Sequence, residues 1–258
     1  MVSLRLGRSP TIHEDDFDVT VPQLSESDDV GERVLVEVIG LARVINRINR
    51  RLYGVKRNVL DAGRERDQFN VELIAWQRQL PDDLQLPAIC PYHAVLTMHL
   101  LFHTTLLILH RPFISRACVT SNEIYRSSSL ASSFILASYR YTSNGVQSNP
   151  FLIFHTFTSA VALLHFAQSA ETSVSEPAKF AFEECLTAFR EIERTWAAAT
   201  NALNLVAQVC SLGDGIVHSR RYYFQPREAT PQKEDEDCAE PENMIDFLSA
   251  IWCPQIGM

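Results

Sequence analysis

The chain has little glycine, no closely spaced cysteines and no glycine-rich phosphate-binding motif. Only nine of its 258 residues are glycine, which argues against phosphate-binding loops and favours long helices with few breaks. No two cysteines lie closer than fifteen positions, so the spacing indicates neither a compact disulfide framework nor Cys-x-x-Cys metal pairs. The six cysteines, which we expect to be reduced thiols, are Cys90, Cys118, Cys185, Cys210, Cys238 and Cys253.

We expect neither a secretion signal nor a membrane span in this sequence. Residues 1–10 contain no continuous apolar region of the signal-peptide type. Leu100–Leu109 is too short to cross a bilayer, and Phe151–Ala167 contains polar residues such as His155 that are costly in hydrocarbon. Both segments are therefore predicted to be buried core helices.

Charge and proline divide the chain into three predicted regions. Residues 1–30 carry a net charge of −5 and are predicted to form an acidic N-terminal arm. Residues 31–223 are predicted to form one all-α domain, which begins with a basic stretch of net charge +4 over 31–80. Residues 224–258, with a net charge of −6, are predicted to be a disordered, proline-containing acidic tail with a short apolar helix near its end.

Hydrophobic periodicity predicts a multi-helix, all-α fold, because no segment alternates with the period of a strand. The first helix, from Gly31 onward, is indicated by apolar residues at steps of three and four: Leu35, Val38, Ala42, Ile45, Ile48, Leu52, Val55 and Val59. Gly63 and the charged run Arg64–Asp67 are predicted to separate it from a second helix over about Gln68–Leu80, which Pro81 ends. A third helix, apolar on nearly every side, is predicted from about Pro91 to Leu109.

Three further helices are predicted in the second half of the domain. Thr120 or Ser121 is expected to cap the fourth, whose apolar set includes Phe134, and Pro150 precedes the fifth at Phe151. The sixth is predicted from about Glu176, with Pro177 in its first turn. It continues or restarts towards Leu212, where Gly213-Asp214-Gly215 stops it, and its apolar residues are Phe180, Cys185, Leu186, Phe189 and Ile192.

No residues form a recognisable catalytic, cofactor-binding or metal site. His99 and His103 are four apart on one helical face with His110 seven further on, a spacing that suits a metal, but no nearby acid completes a ligand set. Ser127-Ser128-Ser129 lacks a nucleophile-elbow pattern, and Glu183-Glu184 is predicted to lie on a solvated helix face. We therefore expect a protein that is not an enzyme and has no cofactor.

A stripe of basic residues follows the polar side of the first helix. Such a stripe can contact nucleic-acid phosphates, or it can be a solvated face that pairs with acids of the arm. The acidic overall charge and the lack of a helix-turn-helix pattern favour the second interpretation. The stripe consists of Arg43, Arg47, Arg50, Arg51, Lys56 and Arg57.

Several short motifs in a fixed order resemble those of one protein family. Leu6-Gly7-Arg8-Ser9-Pro10 is followed by an acidic stretch ending at Val21-Pro22, and later by the pattern Leu73-x-x-Trp76-x-x-x-Leu80-Pro81-x-x-Leu84. Leu109-His110-Arg111-Pro112-Phe113 then closes the third helix, and Cys118 follows where the family often begins another helix. Together they resemble the middle regulatory region of fungal transcription factors that carry a binuclear zinc cluster, over residues 6–113 and more loosely to 212.

The resemblance implies a regulatory role without a DNA-binding module. No Cys-x2-Cys-x6-Cys half of a zinc cluster is present, so the chain is expected to be an N-terminally truncated part of such a regulator. Implied by the resemblance are nuclear localisation, control of metabolic or secondary-metabolite genes transcribed by RNA polymerase II, protein partners and a possible small-molecule effector. The alternative is an all-α small-molecule-binding protein or enzyme with its site between apolar helices.

The end of the acidic tail allows two interpretations. Acids and apolar residues alternate there, as in disordered activation segments that fold in a partner's groove. The same apolar residues could instead dock on the domain as its last helix. They are Met244, Ile245, Phe247, Leu248, Ile251 and Trp252.

Overall fold

A computed structural model describes residues 29–52, 62–86, 92–114, 118–141 and 149–212, and within these ranges the chain forms seven α-helices and no strand. This confirms the predicted all-α class. The predicted tail and all but the last two residues of the arm lie outside the described ranges. The helices are α1 Val30–Leu52, α2 Ala62–Gln79, α3 His93–His110, α4 Val119–Tyr141, α5 Phe151–Ala167, α6 Thr172–Ile192 and α7 Ala198–Leu212, with short 3₁₀ turns at Asp82–Leu84 and Arg111–Phe113.

The core is built around α3 and α5, which are apolar on nearly all sides. α3 packs against α1, α2, α4 and α5, whereas α5 packs against α3, α4, α6 and α7. Because neither helix has a wide polar face, each is stable only where neighbouring helices cover most of its surface. The outer helices α1, α4 and α6 supply that cover with one buried face each.

The apolar helical segment that contains Leu100–Leu109 is longer than those ten residues, which the sequence analysis considered too short to cross a bilayer. Residues 93–113 are long and apolar enough to cross a membrane by length and composition, so Leu100–Leu109 underestimates the segment. However, 72% of its apolar window is buried inside the protein. Its role as a core helix follows from that burial.

The buried stripe of α1 is rotated from the one that the sequence predicts. Leu35 is 55% exposed, and the neighbouring Val34 is buried in its place. α1 contacts both α2 and α3, so its buried face points between these two neighbours, which the periodicity of one helix does not specify. Val55 and Val59 lie outside the described residues. The buried residues are Val34, Leu41, Val44, Ile45 and Ile48.

α2 starts six residues before the predicted Gln68. Gly63 and Arg64–Asp67, which were expected to separate two helices, form its first turns. A Cβ atom at Gly63 would meet nothing within 4 Å, so the glycine is not required there by a close contact. The charged run is helical because its side chains can reach solvent or partners on other helices.

The end of α2 follows the prediction closely. The helix stops at Gln79, and Pro81 begins an extended step into the 3₁₀ turn. The side chain of Gln85 donates hydrogen bonds to the carbonyls of Leu80 (2.9 Å) and Gln77 (3.3 Å), which satisfies acceptors that the helix end leaves open. Leu84 is fully buried below this turn.

The boundaries of α4 and α6 differ from the predicted ones. α4 begins at Val119, so Thr120 and Ser121 lie in its first turn, and the carbonyl of Cys118 accepts the first helical bond, from Asn122 N at 3.1 Å. α6 begins at Thr172, which places Pro177 inside the helix rather than in its first turn.

Two aromatic residues expected on apolar faces are exposed, Phe134 on α4 and Phe180 on α6. The sixth predicted helix is divided, since α6 ends at Ile192 and α7 restarts at Ala198. α5 begins at Phe151 directly after Pro150, as predicted.

Candidate functional site

A group of interacting polar side chains lies where α2, α3 and α4 meet. α2 contributes Arg66 and Asn70, α3 ends there with His110, and α4 starts there with Cys118 and Ser121. The 3₁₀ turn that completes the His-Arg-Pro-Phe motif closes one side. We call these five residues and Phe113 the motif cluster.

His110 joins the three helices through both ring nitrogens. Its Nε2 lies 3.1 Å from Asn70 Oδ1, and its Nδ1 lies 3.1 Å from Ser121 Oγ. Since a carboxamide oxygen only accepts, Nε2 carries the proton and Nδ1 accepts from the serine hydroxyl. Burial, and then the nearby positive charge of Arg66, lower the pKa of His110 to about 4. The imidazole is therefore neutral at physiological pH and acts as a bridge between helices.

Arg66 holds the motif turn against α2. Its Nη1 donates to Cys118 Sγ and to Ser121 Oγ, both at 3.2 Å, and its Nε and Nη2 reach Asp67 Oδ1 at 2.9 and 2.7 Å. The guanidinium carbon also lies 4.8 Å from the centre of the Phe113 ring, a cation–π contact. With only 14% of the side chain exposed, these contacts replace most of the water around the charge.

The pKa of the Cys118 thiol is lowered by its surroundings. Hydrogen bonding with Ser121, through its side chain and backbone, lowers the pKa of the thiol, and the positive charge of Arg66 adds to the effect. The thiol precedes the first turn of α4, a position where a helix also favours negative charge. By contrast, burial raises the pKa of Cys185 to about 12.

The sequence identified part of the motif cluster and missed the rest. The His-Arg-Pro-Phe motif and Cys118 were recognised from the resemblance, and the motif was interpreted as the end of a helix, where the structure places it. Arg66 and Asn70 were not recognised, because they lie about 40 to 55 positions away from their partners and belong to no motif. Only the packing of α2 against α3 brings them to the site.

The two other histidines of the candidate metal triad lie nearer the start of α3. His99 is buried, and its Nε2 donates to the carbonyl of Leu84 at 2.8 Å. Burial, and then the proximity of His99, lower the pKa of His103 to about 4. His99 Nε2 and both nitrogens of His110 are thus engaged with protein groups, which supports a structural role. Among the described residues no group of three His, Cys, Asp or Glu side chains could hold a metal ion.

Two arginines of the basic stripe of α1 pair with acids of α2, whereas the acids of the arm up to Asp28 lie outside the described residues. Arg47 forms an ion pair with Glu72, and Arg51 Nη1 lies 3.6 Å from Glu65 Oε1, both acids being on α2. Lys56 and Arg57 lie outside the described residues. The pairing favours the interpretation of the stripe as a structural face.

Glu183 and Glu184 have different surroundings. Glu183 is exposed, as predicted, but Glu184 Oε2 accepts from Arg140 Nη1 at 2.7 Å. Arg140 Nε also donates to Glu191 Oε1 at 2.9 Å, so one arginine of α4 binds two glutamates of α6. The predicted solvated face is therefore partly a contact between helices.

Buried hydroxyl groups line the interior of α4 and α5. Ser128 and Ser129, from the predicted serine-rich stretch, are buried, and Ser129 Oγ donates to the carbonyl of Arg126 at 2.8 Å. On the other side of the core, Thr104 Oγ1 of α3 and His155 Nδ1 of α5 lie 2.8 Å apart. Within the described part of the chain, three buried hydroxyl groups have no hydrogen-bond partner: Ser132, Thr156 and Ser159.

Part of the chain is similar to two fungal regulatory proteins. Over 118 residues, 43% of this chain, it is 32% identical to the acetamidase regulatory protein of Aspergillus oryzae and 31% identical to that of Aspergillus fumigatus. The match covers 15% of each relative, so the chain spans a small fraction of their length. Both are named as regulatory proteins and not as enzymes, which agrees with the expectation of a protein that is not an enzyme.

No family model matches the chain, and no solved structure matches it.

Proposed function

We propose that the chain is a regulatory region of a fungal transcription regulator and acts through contacts with proteins or a small effector. The observation that supports this most is the partial similarity to two fungal regulatory proteins, combined with an all-α fold in which the family-like motifs within the described residues are structural. Leu73, Leu80 and Leu84 are buried, and the His-Arg-Pro-Phe motif joins three helices.

The finer parts of the proposal come from the resemblance in the sequence. They are nuclear localisation and control of metabolic or secondary-metabolite genes transcribed by RNA polymerase II. A further part is that the zinc cluster of such regulators lies outside this chain. The predicted division into an arm of residues 1–30, a domain of 31–223 and a tail of 224–258 belongs to the same proposal.

A reporter assay tests the regulatory role. The full chain is fused to a heterologous DNA-binding domain and expressed in a fungal host with a reporter gene under the matching operator. We expect reporter expression to change relative to the DNA-binding domain alone, and the change to be lost when Leu106→Ala disrupts the core. Unchanged expression with a stably accumulated fusion would contradict the proposal.

A second experiment addresses the alternative of a small-molecule-binding protein or enzyme. One observation favours this alternative. Among the described residues, the buried hydroxyl groups of Ser132, Thr156 and Ser159 have no hydrogen-bond partner in the chain and could bind a polar group of a ligand. Native mass spectrometry of the purified chain measures any bound molecule. A stoichiometric bound cofactor would favour the alternative, whereas the bare chain mass is the expected result.

A further inference from the structure

Three hydroxyl groups of α4 and α5 are buried without a hydrogen-bond partner in the described part of the chain. They belong to Ser132 of α4 and to Thr156 and Ser159 of α5, and all three side chains are 0% exposed. A hydroxyl group that loses water and gains no bond is destabilising, and native proteins satisfy nearly all such groups. Three of them on two neighbouring helices indicate that another molecule supplies the bonds. We call these three residues the hydroxyl cluster.

Other hydroxyl groups on the same two helices bond to their own helix. Thr158 Oγ1 donates to the carbonyl of Phe154 at 2.9 Å, and Ser138 Oγ donates to the carbonyl of Phe134 at 3.0 Å. A carbonyl four residues earlier is the usual partner of a serine or threonine inside a helix. The hydroxyl cluster does not form this bond. Its hydroxyl groups are therefore left to bond to a group outside their own helix.

The direction of α5 relative to α4 follows from the contacts of α6. Ser133 Oγ donates to the carbonyl of Ala181 at 3.0 Å, and further along both helices Arg140 binds Glu184. Because residue numbers rise together on both sides, α4 and α6 run parallel. α6 follows α5 after only four residues, 168–171, and packs against it, as in an antiparallel helical hairpin. α5 is therefore antiparallel to α4.

A ring contact sets the register of α4 against α5. The ring centres of Tyr125 and Phe166 lie 5.9 Å apart. Ser132 lies seven residues after Tyr125 and Ser159 seven residues before Phe166, and seven residues are close to two full helical turns. In an antiparallel pair these two steps lead to the same level, so Ser132 and Ser159 face each other. Thr156 lies on the same face of α5, one turn from Ser159.

The two facing serines do not bond to each other. One small molecule between them that donates and accepts hydrogen bonds would satisfy both hydroxyl groups. A buried molecule of this kind typically forms about three hydrogen bonds to groups that otherwise have no partner. The hydroxyl cluster provides three such groups on adjacent turns.

The surroundings of the hydroxyl cluster are uncharged. Neither α3 nor α5 contains Asp, Glu, Lys or Arg. α3 reaches the same part of the core, because Thr104 Oγ1 lies 2.8 Å from His155 Nδ1, next to Thr156. Burying an ion without an opposite charge is very costly. The bound molecule is therefore uncharged.

Buried apolar side chains limit the size of the molecule. One turn beyond the hydroxyl cluster lie Ile135 of α4 and Leu152 and Leu163 of α5, each 0% exposed. Protein interiors are closely packed, so these side chains leave little space along the interface. The site suits a molecule with few heavy atoms.

We propose that the hydroxyl cluster is an internal binding site for a small uncharged molecule that donates and accepts hydrogen bonds and so bridges α4 and α5. Two sources have this chemistry, solvent water and a small organic effector. The second source rests on the proposed function, in which the chain responds to an effector. The tests below measure stability and electron density and involve no transcription. Failure of the site and failure of the reporter assay are therefore distinguishable.

The first test removes each hydroxyl group with little change in side-chain size. Thermal denaturation of the full chain is measured for Ser132→Ala, Ser159→Ala and Thr156→Val. We expect each variant to lower Tm by roughly 2–4 °C, because a bond to the bridging molecule is lost. Alanine favours a helix more than serine does, so helix propensity does not explain a lower Tm. An unchanged or higher Tm, as expected when an unpaired buried hydroxyl is removed, overturns the proposal.

The second test asks whether the two serines share one molecule. The double variant Ser132→Ala/Ser159→Ala should lose clearly less Tm than the sum of its single variants, because either change already weakens the bridge. The matched control is Ser133→Ala/Ser159→Ala, whose losses should add, since Ser133 bonds to α6. Additive losses in the first pair overturn the bridge.

A crystal structure of the full chain at high resolution identifies the bridging molecule. A spherical peak within hydrogen-bond distance of Ser132 and Ser159 assigns the site to water. A larger peak assigns it to an organic molecule, whose mass native mass spectrometry then gives. Both results support the proposal. Absence of density between the two residues, a direct bond between their hydroxyl groups or a bound ion overturns it.

Discussion

At the scale of single residues, the structure gives its polar groups mainly a connecting role. His110, Arg66 and Arg140 each bind residues on other helices, and their partners are distant in sequence. A buried or half-buried polar group is stabilising only while its partners are present, because removing one leaves the other desolvated. The chemistry of these side chains can therefore be tested through stability and thiol reactivity.

The first prediction concerns the pH dependence of stability. The pKa of His110 is lowered to about 4 in the folded chain, from an ordinary value of 6.5. Its stabilising contribution is complete above pH 6.5 and is lost as the pH falls towards 4, because the unfolded chain then binds a proton that the folded chain does not. At pH 5 the loss is about 2 kcal/mol for this residue.

Urea denaturation at pH 7.5 and pH 5 measures that difference. His110→Gln removes the titrating group and should reduce the pH dependence by about that amount, while it lowers stability at both pH values. His165→Gln is the comparison: burial lowers the pKa of His165 as well, but its side chain is exposed, so we expect this variant to change the pH dependence less than His110→Gln does. An unchanged pH dependence in His110→Gln would show that other groups cause it.

The second prediction concerns thiol reactivity. Cys118 has a lowered pKa and is partly exposed, whereas Cys185 is fully buried with its pKa raised to about 12. A short pulse of iodoacetamide at neutral pH should therefore modify Cys118 roughly tenfold faster or more. Peptide mass mapping of the pulse gives both rates in one sample. Arg66→Gln should slow the reaction of Cys118, and equal rates in native and variant chains would contradict the role of the guanidinium.

At the scale of helices, the sequence predicts which elements form better than which way they face. α1 has a strong helical periodicity and α3 and α5 are apolar on nearly every side, and the predicted starts of all three helices agree with the structure to within a few residues. The errors concern Leu35, Phe134 and Phe180, apolar residues at the edge of a helical stripe that the structure leaves exposed. One helix of given periodicity fits several neighbours, and the choice among them depends on contacts that no local pattern contains.

Helix boundaries show the same limit in another form. Pro81 and Pro150 mark real boundaries, because proline has no backbone donor and lies just outside a helix in both places. Pro177 lies inside α6, and the charged run after Gly63 lies inside α2. Local signals of helix ends are overridden there by the packing of the rest of each helix, as the contacts of α6 with α4 and α5 illustrate.

The third prediction tests the assignment of helix faces. Leu106 of α3 is 3% exposed, so Leu106→Ala should cost about 2–5 kcal/mol through lost burial and the cavity left behind. Trp76 is only partly buried but stacks on Phe102 with ring centres 5.6 Å apart, so Trp76→Ala should be destabilising too, towards the lower end of that range. Leu35→Ala, on the exposed side of α1, should cost less than about 0.5 kcal/mol.

Chemical denaturation of the three variants supplies the comparison. The expected order of midpoints is Leu35→Ala above Trp76→Ala above Leu106→Ala. A midpoint of Leu35→Ala as low as that of Leu106→Ala would mean that the outer face of α1 is covered in solution.

At the scale of the whole chain, charge is the property that most constrains its partners. The net charge is −8, and two arginines of the basic stripe are already paired with acids of α2. An acidic chain is repelled by nucleic-acid phosphates, and specific binding needs side chains presented to a groove. The region that the structure describes is thus better suited to protein contacts than to DNA.

The fourth prediction is that the isolated chain does not bind DNA in a sequence-selective way. Fluorescence titration with labelled duplexes at moderate salt should show at most weak binding that is lost as salt increases. Glu65→Gln/Glu72→Gln is a useful comparison, because it removes the acidic partners of Arg47 and Arg51. It should increase only the salt-sensitive DNA binding that does not depend on sequence. Sub-micromolar binding that prefers one sequence would defeat this prediction.

The fifth prediction concerns the acidic tail, which lies outside the described residues. If residues 226–258 are an activation segment, fusing them to a heterologous DNA-binding domain should activate a reporter, and Phe247→Ala/Leu248→Ala/Trp252→Ala should abolish the activation. The acids would keep these apolar side chains in solvent until a partner groove accepts them. Changing Met244 and Ile251 to Ala instead is the matched control, with two apolar residues removed from the same segment.

If the segment docks on the domain, the fusion is silent, and the triple variant of the full chain should instead lower the free energy of unfolding. The two interpretations therefore predict opposite results. If a partner buries the apolar side chains, the triple variant loses activation of the reporter, and if the domain buries them, the triple variant loses stability.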